Sequence, residues 1–272
     1  MSPSSLLKPL QKTNITAFTR RAKSAAAKFN EGWRDTSSLI TPGKQSTRHH
    51  VALLPPKDAV HAALLIPGIF GQTRAMIPLA KRCEKAGIPA CVFHVGAKGF
   101  LPYAFTRAKL CERIQGIRDA CPRLRRLDLV AHSMGGLWAL DAITEGAVDG
   151  LRVRLVTLGT MYRGTPTAAL VPFALSAWQA LPWHPRFQKG PPLQMENVPW
   201  FSIVSSIDTI VPQKHTRQLN VNHQLVVQTT HAGLLRKQTS LAPAVAFLMQ
   251  PHTQKAVTSA TNEVPFFVNP HL

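Results

Sequence analysis

The stretch Leu127-Asp128-Leu129-Val130-Ala131-His132-Ser133-Met134-Gly135-Gly136-Leu137-Trp138-Ala139-Leu140 constrains this chain more than any other. Strand-forming residues lead into small residues around a serine, and an apolar helical pattern follows at once. A strand that turns directly into a helix forces its corner residue into a strained backbone conformation. Only neighbours with almost no side chain allow that turn, and Ala131, Gly135 and Gly136 satisfy the requirement. The corner side chain then stands at the sheet edge, at the positive N-terminal end of the helix. Ser133 is read as a nucleophile on such an elbow, with Ala131 where the usual pattern has its first glycine. The bland alternative is a glycine-rich turn with an incidental serine, and the context argues against it.

From His61 onward the chain alternates between strand and helix patterns. Strands are expected at 61–66, 90–95, 127–131, 153–158, 200–205 and 224–228. Helices are expected from Thr73 to Lys85, from Tyr103 to Ala120, from the elbow to about Gly146, and from Leu241 to Met249. Near-continuous apolar strands separated by helices predict an α/β fold, a mostly parallel sheet of about six strands covered on both faces. A chain of 272 residues accommodates this as one domain, read here as residues 51–272.

One segment breaks the rhythm. Residues 161–199 separate two expected strands and carry seven prolines with Phe173, Trp178, Trp183 and Phe187. A connection this long inside a compact domain is usually functional. Its portion from Val171 to Leu181 reads as one apolar helix. The segment is expected to form a hydrophobic cap over the strand ends; the alternative is that it only completes the core.

A serine hydroxyl needs a base to take its proton, and the base needs an orienting partner. On a parallel sheet these come from loops after later strands, in the order Ser, acid, His. Asp141 and Glu145 lie on the helix leaving the elbow and point away from the strand ends. Asp208 directly follows the strand ending at Ser205 and is selected as the acid. His132 adjoins Ser133, with its side chain expected to face elsewhere. His184 lies in the insertion, and His215 and His223 precede the last strand. His231 lies in the loop directly after it, and is selected as the base. Acyl chemistry also needs donors for a developing oxyanion. The Met134 N–H follows the nucleophile, and the second donor is expected in Pro67-Gly68-Ile69-Phe70-Gly71, from Ile69 ahead of Phe70. Phe70, Trp178 and Trp183 are the expected substrate contacts. No metal or cofactor is expected, and the Gly-x-x-x-x-Gly-Lys pattern of a phosphate cradle is absent.

Charge sets the surroundings. Thirty-two Lys and Arg against thirteen Asp and Glu give +19, which favours anionic surfaces. Residues 1–50 are rich in Ser, Thr, Lys and Arg, and Phe18, Ala22, Ala25, Phe29 and Trp33 recur at helical spacing. This basic extension reads as an amphipathic helix on an anionic membrane, as a transit peptide, or as a helix or tail against the catalytic domain. Four cysteines without C-x-x-C or zinc spacing read as free thiols, which suits a reducing compartment. With no apolar h-region at the start and no run of about 20 apolar residues, a cytoplasmic location is expected, with possible membrane association. The basic residues are scattered, without a nucleic-acid motif, which argues against a nucleic-acid partner.

The ordered set resembles the α/β-hydrolases, specifically bacterial triacylglycerol lipases and related esterases. The matching pieces are Leu65-Ile66-Pro67-Gly68-Ile69-Phe70-Gly71, Val130-Ala131-His132-Ser133-Met134-Gly135-Gly136, Val156-Thr157-Leu158-Gly159-Thr160 with Arg163-Gly164-Thr165-Pro166, then Asp208 and His231. The resemblance spans about residues 60–250. It implies Ser133 as nucleophile, Asp208 as orienting acid, His231 as base, and an acyl-enzyme hydrolysed by water. Pro67-Gly68 replaces the customary His-Gly of the oxyanion loop, and Met161-Tyr162 replaces Pro-His after Gly159-Thr160. The expected activity is hydrolysis of acyl esters, lipids above all. The alternatives are a thioesterase or acyltransferase on the same fold, or a non-catalytic protein of this fold that binds anionic membrane.

Overall fold

The computed structural model describes residues 52–69, 73–95, 101–170, 175–188, 195, 198–216 and 223–251. The basic extension read over residues 1–50 lies outside them. Six strands form one sheet: β1 (His61–Ile66), β2 (Ala90–Val92), β3 (Arg126–His132), β4 (Leu155–Leu158), β5 (Trp200–Ser205) and β6 (His223–Val227). Their order is β2-β1-β3-β4-β5-β6, and every neighbouring pair is parallel. All six strands therefore point their C-terminal ends at one edge. Four longer helices cover the sheet: α1 (Ile77–Lys85), α2 (Tyr103–Ala120), α3 (Met134–Thr144) and, last in the chain, α7 (Gln238–Met249). Between β4 and β6 lie three single-turn helices, α4 (Leu175–Trp178), α5 (Pro185–Gln188) and α6 (Gln213–Thr216).

Successive strand side chains point to opposite faces, and each face buries its own core. Ala62, Leu64 and Ile66 of β1 join Leu127, Leu129 and Ala131 of β3 beneath α2 and α3. Ala63, Leu65, Val130, Val156 and Ile203 pack on the other face against Leu79, Ala80 and Cys83 of α1 and Leu241, Ala244 and Leu248 of α7. A parallel sheet buried on both sides needs apolar residues at nearly every strand position, and this is the source of the unbroken runs in the sequence. No helix among the described residues is long and apolar enough to cross a membrane.

The N-terminal ends of the strands hold a buried charge cluster. Asp128 is fully buried; its Oδ1 accepts from Arg126 Nε at 2.9 Å and from the Arg154 N–H at 3.1 Å, and its Oδ2 from Arg126 Nη2 at 2.7 Å. His61 Nε2 adds a fourth contact, at 2.8 Å. Arg154 then donates to Phe247 O at 2.7 Å and Pro251 O at 2.8 Å, which fixes the C-terminal end of α7 to the sheet.

Several boundaries depart from the expected ones. The helix expected from Thr73 begins as a 3-10 turn, Thr73–Met76, and becomes α-helical at Ile77, with Pro78 in the first turn. Proline's missing N–H is harmless at that position and its fixed φ suits the helix. β2 stops at Val92 rather than Val95, and β4 starts at Leu155 rather than Val153. The helix expected through Leu181 ends at Trp178 within the described residues. Ala180 N–H bonds Ala177 O at 2.9 Å, tightening the chain, and Pro182 disfavours helical backbone just before it. All four cysteines are free. Burial pushes the Cys83 and Cys91 thiols up to about 12.

Candidate active site

Ser133 sits between β3 and α3 with φ 55° and ψ −127°, the one positive-φ non-glycine residue among the described residues. The close packing around it explains the small neighbours. A Cβ on Gly135 would lie 2.6 Å from the carbonyl oxygens of both Ile66 and Pro67, so α3 starts against the end of β1 only because nothing is there. The Ser133 N–H bonds Leu158 O at 2.8 Å, joining the elbow to the end of β4. As the N-cap residue its hydroxyl makes no cap hydrogen bond. Gly68, in the loop after β1, lies directly against it: a Cβ there would come 2.9 Å from Ser133 Cβ and 3.4 Å from Oγ.

Asp208 follows β5 and is nearly buried. Its Oδ1 accepts the N–H groups of Ile210 and Val211, each at 2.8 Å, which holds the carboxylate in one orientation. Its Oδ2 lies 2.6 Å from His231 Nδ1. A carboxylate only accepts, so Nδ1 carries a proton, and Nε2 is the ring nitrogen not engaged by Asp208. His231 is nearly buried too, at the head of the 3-10 turn Ala232–Leu235. The two loops are tied together: Ser206 N–H bonds Val227 O at 2.9 Å, and Ser205 Oγ donates to Thr229 O.

Ser133 and His231 flank the same turn. Leu158 binds the Ser133 N–H, and the next residue, Gly159 (φ +62°), leaves space where a Cβ would lie 3.2 Å from His231 Cε1 and Nδ1. The structure thus brings the three residues selected as nucleophile, acid and base to one edge of the sheet, on the ends of β3, β5 and β6. Among the described residues His61 and His231 alone pair with carboxylates, and His61 does so at the opposite edge.

His132 departs from expectation. Its side chain was expected to face away from this site, but it packs on His231, with ring centroids 4.6 Å apart and planes inclined by 46°. Strand alternation is the reason: Asp128, Val130 and His132 share the face covered by α1 and α7, where His231 stands. His132 Nε2 is 3.1 Å from His231 O. Burial, with His231 beside it, holds its pKa well below 6.5, so it is neutral.

Met134 heads α3, where an N–H has no carbonyl one turn earlier to bond. Ile69 is half-buried and packs against the α2–α3 core, next to Gly68. Neither N–H makes a turn or loop hydrogen bond among the described residues. Phe70 lies outside the described residues. Trp178 and Trp183 are 55% and 62% exposed on the insertion, and Leu170 is 56% exposed. Other parts of the insertion are anchored. Ala177, Ala180 and Leu181 join the core. Thr165 Oγ1 donates to Ile210 O at 2.8 Å, and Arg186 Nη2 donates to Asp141 Oδ1 at 3.0 Å. Among the described residues no group of three or more His, Cys, Asp or Glu is placed to hold a metal ion.

The fold occurs in solved structures of low sequence identity to this chain. Bacillus licheniformis lipase BlEst2 in its mature form aligns with a TM-score of 0.55 at 16% identity, over 75% of this chain and 96% of that one. The chain has the α/β-hydrolase fold. A lipase-esterase related protein from Clostridium acetobutylicum ATCC 824 aligns with a TM-score of 0.52 at 14% identity, over 73% of this chain and 97% of that one. Polyneuridine aldehyde esterase aligns with a TM-score of 0.52 at 12% identity, over 71% of this chain and all of that one (100%). No family model matches the sequence, and no curated protein matches it. The likeness is one of α/β-hydrolase architecture, shared with lipases and esterases at low identity.

Proposed function

We propose that this α/β-hydrolase-fold chain is a serine carboxylic-ester hydrolase, with Ser133 as nucleophile, His231 as general base and Asp208 as its orienting acid. The observation that carries the reading is the buried Asp208–His231 pair, 2.6 Å apart, at the strand edge where Ser133 is held at φ 55°. With Nδ1 protonated toward Asp208, Nε2 takes the Ser133 proton as Oγ attacks the ester carbonyl carbon. The resulting imidazolium is stabilised by the Asp208 carboxylate, and it returns the proton to the departing alcohol oxygen. Water, deprotonated by the same Nε2, then attacks the acyl carbon, and collapse of the second tetrahedral species releases the acid and restores Ser133. The Met134 and Ile69 N–H groups are the proposed oxyanion donors, and removing one such donor typically costs about 2.7–4 kcal/mol of transition-state stabilisation.

The substrate class is an acyl lipid, taken from an anionic lipid surface. Leu170, Trp178 and Trp183 are exposed on the insertion that follows β4, and tryptophan favours the boundary between water and lipid. In this reading the two indoles, named as substrate contacts, meet the lipid phase.

Labelling by a fluorophosphonate probe tests the chemistry. The native protein is expected to be labelled, and Ser133→Ala and His231→Ala to lose labelling. Equal labelling of native and Ser133→Ala protein rules the assignment out. A p-nitrophenyl ester series from acetate to palmitate tests the substrate class, and a sharp preference for acetate counts against lipid.

A further inference from the structure

We infer that His132 is a positioning residue for His231: it holds the base through the main-chain carbonyl and the ring face, and so couples nucleophile to base across the sheet edge. The inference rests on the triad reading above and names the support of its base. His132 is 4% exposed, and its Nε2 lies 3.1 Å from the His231 carbonyl oxygen. That oxygen only accepts, so His132 carries its proton on Nε2. The two rings contact at 4.6 Å.

Among the described residues the His231 side chain makes its hydrogen bond at Nδ1 alone, and as the cap of a four-residue 3-10 turn it makes no side-chain cap bond. A ring held at one nitrogen pivots about that hydrogen bond, which moves Nε2. The His132 ring blocks the pivot from one side, and Gly159 lies against the Cε1–Nδ1 edge. His132 is also bonded to Ser133 through the chain. The nucleophile's corner and the base's backbone are therefore two ends of one short linkage, His132 Nε2–H to His231 O. Misplacement by about 1 Å in such a site costs on the order of 100-fold in rate. Charge adds to the argument. His231 becomes a cation as it takes the serine proton, and a second cation at this distance would oppose that step. The buried His132 imidazole stays neutral, so it supports the ring without repelling it.

Two variants of equal chain length separate the roles. His132→Gln keeps an N–H donor near the His231 carbonyl, and His132→Met removes it. With a p-nitrophenyl ester, the Met variant is expected to lose about tenfold or more in kcat with KM changed less than about twofold, as for an interaction realised in the transition state. The Gln variant is expected to recover most of that loss. In a His231→Ala background the Met substitution should change the residual rate by less than about twofold, because coupled groups are not additive. If His132→Met does not fold by near-UV circular dichroism, His132→Phe replaces it, keeping a ring without the donor. Native kcat in the donor-free variant overturns the inference, as does a loss carried by KM, failure of Gln to rescue, or full additivity with His231→Ala. Probe labelling that survives Ser133→Ala overturns the triad reading and this inference together. Labelling abolished in Ser133→Ala with native kcat in His132→Met overturns this inference alone.

Discussion

At the residue, strain and chemistry are separable. Ser133 occupies a backbone region that costs a non-glycine residue about 1–3 kcal/mol, and the cost is independent of its hydroxyl. Glycine relieves it but gains about 0.4–1 kcal/mol of unfolded-state entropy against alanine. Ser133→Gly is therefore expected to be more stable than Ser133→Ala by about 1 kcal/mol in urea unfolding; an Ala variant as stable as the Gly variant would mean that the elbow is not strained. His132 gives a second residue-scale effect. Folding holds it neutral with a pKa well below 6.5, whereas in the unfolded chain it titrates near 6.5. Between those values the unfolded chain binds a proton that the fold refuses. The contribution of neutral His132 is thus present above pH 6.5 and lost as pH falls toward the folded value, by about 1.4 kcal/mol per pH unit. Thermal melts from pH 7 to 5 should fall more steeply for the native chain than for His132→Gln; parallel curves would show that His132 does not titrate this way.

At the element scale, the insertion shows both what a sequence makes legible and what it leaves out. β1, α2 and β5 have the limits that their apolar runs predict, because a strand buried on both faces or a long helix writes its boundaries locally. β2 does not. Its apolar run continues to Val95, but pairing ends where β1 ends: Phe93 N–H bonds Leu65 O, and Pro67, one residue past β1, has no N–H. The ordering of Ser133, Asp208 and His231 was legible because the topology dictates it, and the contact of His132 with His231 was missed although period-2 alternation from Asp128 contains it. The anchoring of the insertion was not legible. Arg186 lies 45 residues from Asp141, yet it pairs with that carboxylate and lies over the Tyr103 ring at 4.5 Å, while Tyr103 donates to Asp141 at 2.6 Å. No local period encodes such a meeting. The Arg186 and Asp141 side chains are 17% and 20% exposed, so the pair is sheltered from water. Arg186→Met is expected to cost about 1–3 kcal/mol and to speed proteolytic cleavage within residues 161–199; unchanged cleavage would show that the insertion is held elsewhere.

At the scale of the whole molecule, the distribution of charge matters more than its total. The loops after β4, β5 and β6 expose Arg163, Lys214, Arg236 and Lys237. The acid described in those same loops is Asp208, which is buried and bonded to His231. The loops at the strand edge bearing Ser133 therefore expose basic residues, and the insertion after β4 exposes Leu170, Trp178 and Trp183. Against an anionic bilayer each basic residue near the surface contributes about 1 kcal/mol, a contribution that salt screens within about 10 Å at 0.1 M. Apolar contact is not screened. Sedimentation with vesicles should therefore show strong binding to phosphatidylglycerol vesicles at low salt, weak binding to phosphatidylcholine, and a residual salt-resistant component. Trp178→Ser with Trp183→Ser should remove the residual component and leave the salt-sensitive one; charge reversal at Lys214, Arg236 and Lys237 should do the opposite. Binding to phosphatidylcholine as strong as to phosphatidylglycerol would mean that charge does not bring the protein to lipid. Loss of both components on charge reversal alone would mean that the tryptophans do not reach the lipid.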